Sequence, residues 1–206
     1  MIRAVCFDLG GVVFDSPFPA LAALERRHRI ASGSINAAIV APGSQGAWAR
    51  HERGETDWAS FMVALERDLS HLPVTAEEVV GAVRVSLRVR PEMLEAIARI
   101  RAAGLSTAAI TNNWFEPDGS TTASTVAERF DVFVESAREG IHKPDPAIFA
   151  RTLERLGVEA GDAAFLDDVG RNLKAARVLG FGATIKVEEP KAALAELACL
   201  LDLDLG

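Results

Sequence analysis

Cysteine is scarce: the 206 residues hold two, Cys6 and Cys199, far apart in the chain. Two distant thiols exclude a disulfide scaffold and a thiolate zinc site. Basic residues are outnumbered, 22 Lys and Arg against 29 Asp and Glu, for a formal charge of −7. With no Lys/Arg cluster to neutralise phosphates, nucleic acid is excluded as the main partner. No run of about 18 apolar residues occurs, which excludes a membrane-spanning helix. Met1 leads almost directly into an apolar run with no leader segment before it, so a soluble cytoplasmic protein is expected. Internal repeats and low-complexity segments are also missing.

What is present suits one domain, or a domain with a modest insertion. Nearly half of the residues are apolar, 49%, so a sizeable core can be buried. Ala4–Phe7 is a short apolar run that ends on Asp8 and the pair Gly10-Gly11. Such runs bounded by glycine read as buried parallel strands. Four more segments have the same character: Ser106–Thr111, Val132–Glu135, Ala163–Asp167 and Ala183–Val187.

Helical patterns separate them. Pro91 to Ala103 carries Met93, Leu94, Ile97 and Ile100 on one face, with Pro91 suited to a first turn and Gly104 to a stop. Asp145 to Leu156 repeats this with Pro146, Ile148, Phe149 and Leu153 before Gly157. Asn172 to Leu179 ends at Gly180, and Pro190 to Leu201 carries Leu194, Leu197 and Leu200. Strands alternating with helices imply an α/β fold, a mostly parallel sheet with helices on both faces. The acidic end, Asp202 to Gly206, reads as a frayed helix terminus.

From Ser16 to Arg88 the alternation stops. Leu21, Leu24, Trp58, Phe61, Leu65 and Leu69 supply helical apolar faces, and no strand pattern occurs. A whole crossover usually needs little more than about a dozen residues. This stretch therefore reads as a helical cap, residues 16–88, inserted after the first strand of a core formed by 1–15 and 89–206. The small residues of Ala37 to Gly46 suggest a flexible or closely packed segment, and Trp48, Trp58 and Trp114 suggest core or seam anchors. Trp114 alone is close enough to Asn112 to line a site.

Four short motifs follow the predicted strand ends, which converge on one crevice in a parallel sheet. They are Asp8, Thr111-Asn112, Lys143-Pro144, and Asp167-Asp168 with Asn172. Each has an ordinary structural reading. A strand-end Asp can cap a turn, Thr-Asn can form one, Lys-Pro can be a solvated loop, and Asp167-Asp168 can complement a helix dipole. Their order and spacing make a coherent chemistry instead. Asp8 and Asp168 are hard oxygen ligands suited to Mg²⁺. Thr111 and Asn112 offer a hydroxyl and an amide to phosphoryl oxygens. Lys143 supplies a fixed positive charge that keeps Asp8 ionised beside Asp167 and Asp168. Asn172, one helical turn beyond Asp168, can reach back to orient a ligand.

These motifs resemble those of the haloacid dehalogenase-like hydrolase superfamily, over the whole chain. The segments Ala109–Trp114, Glu135–Pro146 and Phe165–Lys174 look most like the amino-terminal phosphatase-type domains of soluble epoxide hydrolases and the related domains fused to acyl-CoA dehydrogenases. The resemblance implies a Rossmann-like three-layer core with a helical cap after the first strand, and that Asp8 attacks phosphorus to form an aspartyl-phosphate. It implies that Asp8, Asp168 and the Gly10 carbonyl hold Mg²⁺, and that Thr111, Asn112 and Lys143 hold the phosphoryl group. The substrate would be a small phosphorylated metabolite, with no nucleic acid or membrane as partner and a homodimer left open.

Gly10 departs from that pattern. Most phosphatases of the superfamily carry a second Asp there as general acid and base, help that is typically worth about 10²–10⁴-fold. Asp15 is the nearest replacement in sequence, although Asp15-Ser16-Pro17 reads equally well as the start of a helix. His51, Glu52 and Arg53 of the cap could also reach the crevice, or form a solvated polar face. Two rival readings follow: a metal-free dehalogenase attacking carbon, and a weakly active domain kept for binding. The dehalogenases carry an aromatic residue in place of Gly10 and lack the Asp-Asp pair.

Overall fold

The computed structural model describes all 206 residues. The first strand, β1 (Ala4–Phe7), has no exposed residue. Five helices follow: α1 (Phe18–His28), α2 (Ser34–Val40), α3 (Ala47–Glu52), α4 (Trp58–Asp68) and α5 (Ala76–Ser86). The chain continues through α6 (Pro91–Ala102), β2 (Ser106–Thr111), β3 (Val132–Glu135), α7 (Ser136–Glu139) and α8 (Pro146–Leu156). It ends with β4 (Ala163–Asp167), α9 (Gly170–Leu179), β5 (Ala183–Lys186) and α10 (Pro190–Leu201).

All four strand pairings are parallel, in the order β3-β2-β1-β4-β5. Alternate side chains of the strands feed two apolar clusters. Val5, Phe7, Ala109, Ala164 and Leu166 point to one, which α6 and α10 cover. Cys6, Ile110, Val134 and Phe165 point to the other, which α8 and α9 cover. Both faces of the sheet are buried, which is why its strands read as continuous apolar runs. Burying one such Phe or Ile side chain stabilises by roughly 1.5–3 kcal/mol.

The helices start and stop where the sequence punctuates them. Pro91, Pro146 and Pro190 open α6, α8 and α10, where the missing N–H costs nothing. Asp145 Oδ1 accepts from Ala147 N at 2.9 Å, and Thr75 with Glu78 forms a reciprocal capping box on α5. Helix α9 begins at Gly170, two residues ahead of the expected start at Asn172. The tail also differs from expectation. Leu203 N donates to Ala198 O and Leu205 is buried in the core cluster beside α10, so apolar burial ties down the end expected to fray.

Helices α1 to α5 share a separate apolar cluster that includes Leu21, Leu24, Phe61, Leu65 and Leu69. Two chain crossings join this helical insertion to the sheet. Phe14 and Val89 form an antiparallel bridge. Asp15 N donates to Arg88 O at 2.8 Å, and Arg90 N donates to Val13 O at 2.9 Å. The Arg90 guanidinium then ties the crossing to the turn after β1, donating to Gly11 O at 2.8 Å and pairing with Asp15 at 3.0 Å.

Candidate active site

Strand order reverses on either side of β1, with β2 on one flank and β4 on the other, so the loops after these strands open on a topological switch point. Asp8 leaves β1 there. The next residues, Leu9–Val13, make one wide turn closed by Phe14 N to Leu9 O at 2.7 Å. Within it Gly10 has φ −66 and Gly11 φ +79. A Cβ on Gly11 would stand 2.2 Å from Asp168 Oδ2, whereas a Cβ on Gly10 would meet nothing within 4 Å. Glycine at 11 therefore lets the backbone approach the Asp168 carboxylate.

Lys143 organises the floor. Its Nζ lies 2.7 Å from Asp8 Oδ1 and 2.9 Å from Asp167 Oδ2, with the side chain 1% exposed. Asp167, at the end of β4, accepts further bonds from Val169 N at 2.7 Å and from Asn172 Nδ2 at 3.0 Å. Asn172 thus reaches Asp167, not Asp168. Asn112, expected to face phosphoryl oxygens, holds the Lys143 backbone. Its Nδ2 donates to Lys143 O at 3.0 Å and its Oδ1 accepts from Lys143 N at 2.8 Å. Thr111 is buried beside it on the cavity wall.

One oxygen from each of Asp8, Asp167 and Asp168 lies within 4.8 Å of the others. Of the three, Asp8 and Asp167 share one buried ammonium, that of Lys143. Burial pushes the Asp8 carboxyl well above its usual range, Lys143 opposing and Asp167 adding to the rise. Burial, then the Asp167 charge, pushes Asp168 up to about 6. Burial would depress Lys143, but Asp167 and Asp8 outweigh it and raise it. An oxygen-only donor set with surplus negative charge suits a hard divalent cation, whose charge would oppose the rise of the carboxylates.

A cavity of about 470 Å³ stands over this floor, between the helical insertion and the strand ends. Asp8, Gly10, Thr111, Asn112, Lys143 and Asp168 all line it. Phe18, Ile39, Val40 and Trp48 form its apolar wall on the insertion side. Trp48 and Trp114 meet edge to face at 5.4 Å on that wall.

Other candidates fall elsewhere. Asp15 sits at the hinge with Arg90, and its side chain is 49% exposed; it is not among the cavity-lining residues. His51 is buried inside the insertion, stacked on Phe61 at 4.1 Å, and Arg53 pairs with Glu55 at 2.6 Å. Glu52 alone of that trio faces the cavity. The walls formed by Ile39, Val40, Gly43 and Ser44 had no signal in the sequence beyond small-residue content, because a lining role depends on how α2 docks.

Fold and site together define a Rossmann-like α/β protein with a lysine-anchored carboxylate crevice at its switch point. The family model described as haloacid dehalogenase-like hydrolase matches residues 2–180, and the chain belongs to that family. It is 40% identical over 208 residues to acyl-CoA dehydrogenase family member 10 of Mus musculus, covering 98% of this chain and 19% of that protein. It is 32% identical over 212 residues to bifunctional epoxide hydrolase 2 of Sus scrofa, covering 95% of this chain and 38% of that protein. The chain thus spans well under half the length of either relative. Among solved structures, a HAD-like family hydrolase from Porphyromonas gingivalis superposes with a TM-score of 0.68 at 23% identity, covering 99% of this chain and 100% of that one.

Proposed function

We propose that this chain is a Mg²⁺-dependent phosphatase acting on small phosphate esters through an aspartyl-phosphate on Asp8. The observation that supports this most is the placement of Asp8: on the cavity floor, 2.7 Å from Lys143 and clustered with Asp168. An acidic pair beside the nucleophile favours phosphoryl transfer over attack on carbon, which needs no metal. Mg²⁺ would be held by Asp8, Asp168 and the Gly10 carbonyl. When bound it would neutralise charge on the phosphoryl oxygens and on the crowded carboxylates.

The chain's own residues do the rest. One Asp8 oxygen is anchored to Lys143, which fixes the carboxylate's rotation and leaves the other oxygen to attack phosphorus. Lys143 stays charged and stabilises the negative charge that spreads over the phosphoryl oxygens. Asn112 acts on the phosphoryl group through Lys143, whose backbone it clamps on both sides. Thr111 contributes its hydroxyl. Water then attacks the aspartyl-phosphate and releases inorganic phosphate, which splits one difficult displacement into two easier ones. A small phosphorylated metabolite is the substrate in this reading, with neither nucleic acid nor membrane as partner, a cytoplasmic location, and self-association as a homodimer left to measurement.

Gly10 favours a second reading, a slow enzyme or a binding domain, since glycine moves no proton. Phosphate release from 4-nitrophenyl phosphate and from a panel of phosphorylated metabolites, with Mg²⁺ and with EDTA, tests the proposal. Halide release from 2-haloacids, measured in parallel, tests the carbon-directed alternative. Mg²⁺-dependent phosphate release lost in Asp8→Asn supports the phosphatase. Halide release without metal, or no turnover with either class, overturns it.

A further inference from the structure

His142 stands next to Lys143 in the chain and lines the same cavity as Asp8 and Gly10. Its Nδ1 lies 3.2 Å from Glu52 Oε2, and Glu52 comes from α3 of the helical insertion. The pair therefore spans the seam between insertion and core, 90 residues apart in sequence. Its side chains are 20% and 16% exposed, so solvent screens them only in part. Glu52 is held from two further sides: Trp48 Nε1 donates to Oε1 at 3.1 Å, and Asn112 Nδ2 approaches Oε2 at 3.5 Å.

These contacts divide the labour. Glu52 faces three donors and so serves as the acceptor of the seam. An imidazole that gives Nδ1–H to such a carboxylate is fixed in tautomer and orientation, and Nε2 is the nitrogen left to exchange a proton. Near neutral pH imidazole is the side chain most often used for that exchange. Gly10, in the same cavity, has no side chain to do it, and Asp15 is engaged at the hinge.

We propose that His142, positioned by Glu52, is the general acid and base of this site, a role completed only when the insertion sits on the core. The proposal rests on the phosphatase reading above. In the first step Asp8 forms a bond to phosphorus as the ester P–O bond breaks. The departing alkoxide takes the proton of imidazolium Nε2, leaving free alcohol and neutral imidazole. In the second step water adds to phosphorus and gives its proton to Nε2. The Asp8–phosphorus bond breaks, restoring the Asp8 carboxylate and the imidazolium and releasing inorganic phosphate. His142 is the catalytic residue here, and Glu52 is a positioning residue.

The test is leaving-group dependence with Mg²⁺ present, measured as kcat/KM for 4-nitrophenyl phosphate and for a simple alkyl phosphate. 4-Nitrophenolate leaves without a proton, and an alkoxide does not. His142→Gln, with His142→Asn as a second variant, is expected to lower kcat/KM about 10²-fold on the alkyl ester, the low end of general acid–base effects. The aryl ester should lose at most a few-fold. Glu52→Gln should show the same split, smaller. Adding Gly10→Asp to His142→Gln should return at least tenfold on the alkyl ester, since position 10 has room for a side chain. Equal losses on both esters in both His142 variants, or no rescue by Gly10→Asp, would overturn the assignment. A wild-type protein that hydrolyses neither ester would instead overturn the phosphatase reading on which it rests.

Discussion

A Cβ on Gly11 would stand 2.2 Å from Asp168 Oδ2. The turn after β1 and the loop after β4 are therefore built against each other, with no room for a methyl group between them. Gly11 also has φ +79, a conformation that costs an L-residue roughly 1–2 kcal/mol. Gly11→Ala should lower stability by at least that amount and displace the Asp168 carboxylate. Gly10→Ala, at φ −66 and with open space, should be close to neutral. Thermal unfolding of the two variants checks this, and equal melting temperatures would refute it.

Lys143 is the only cation in direct contact with two buried carboxylates, Asp8 and Asp167. Removing one partner of a buried ion pair typically costs about 3–5 kcal/mol, because the other charge is left unpaired. Lys143→Met should therefore destabilise the protein by about 3 kcal/mol at pH 8 and by less at pH 5, because burial pushes the Asp8 carboxyl up and a protonated Asp8 leaves less unpaired charge. Urea unfolding at the two pH values measures the difference.

Asp168 titrates at about 6 in the folded chain against 3.8 unfolded, when no cation is bound. The folded state holds the proton more tightly, so the stability this group contributes is full below about pH 4 and is lost as pH rises through about 6. That shift corresponds to a loss on the order of 3 kcal/mol. In EDTA the melting temperature should fall across this window. At pH 7.5, Mg²⁺ at about 100 times its Kd should restore about 2.7 kcal/mol. Asp168→Asn should lose the Mg²⁺ response and show a shallower fall with pH, the remainder coming from Asp8, which burial also pushes up. A Mg²⁺ response that survives in Asp168→Asn would remove Asp168 from the metal site.

Cys6 lies in the centre of β1, and burial pushes its thiol up to about 12. Cys199 is exposed on α10. A thiol reagent at pH 8 should modify one cysteine in the native protein and two after denaturation, with Cys199→Ser reducing the native count to none. Two fast-reacting thiols in native protein would contradict the burial of β1.

Several features of this chain are legible in its sequence. The central strands could be placed because a sheet covered on both faces must be apolar at every position, a one-dimensional pattern. Helix starts at Pro91, Pro146 and Pro190 and stops at Gly157 and Gly180 were readable because capping is local. The four motif positions were readable because parallel topology sends every strand end to one side.

Other features required the third dimension. Asn112 turned to the Lys143 backbone because that pair of hydrogen bonds fixes the loop, a partner 31 residues away. Asn172 met Asp167, five residues back, in place of a bound ligand. Asp15 went to Arg90 because two chain crossings meet at the hinge.

By itself, the sequence determined the fold class, the helical insertion and the identity of the charged groups, Asp8, Lys143, Asp167 and Asp168. Each of these depends on local propensity, periodicity or the order of elements. The tertiary structure alone decided the apolar wall of the cavity and the meeting of Glu52 with His142. Those depend on how the insertion docks over the sheet, a packing relation between segments that no local pattern encodes. The empty side chain at position 10 and the imidazole that stands in the same cavity became one question only when that docking brought them together.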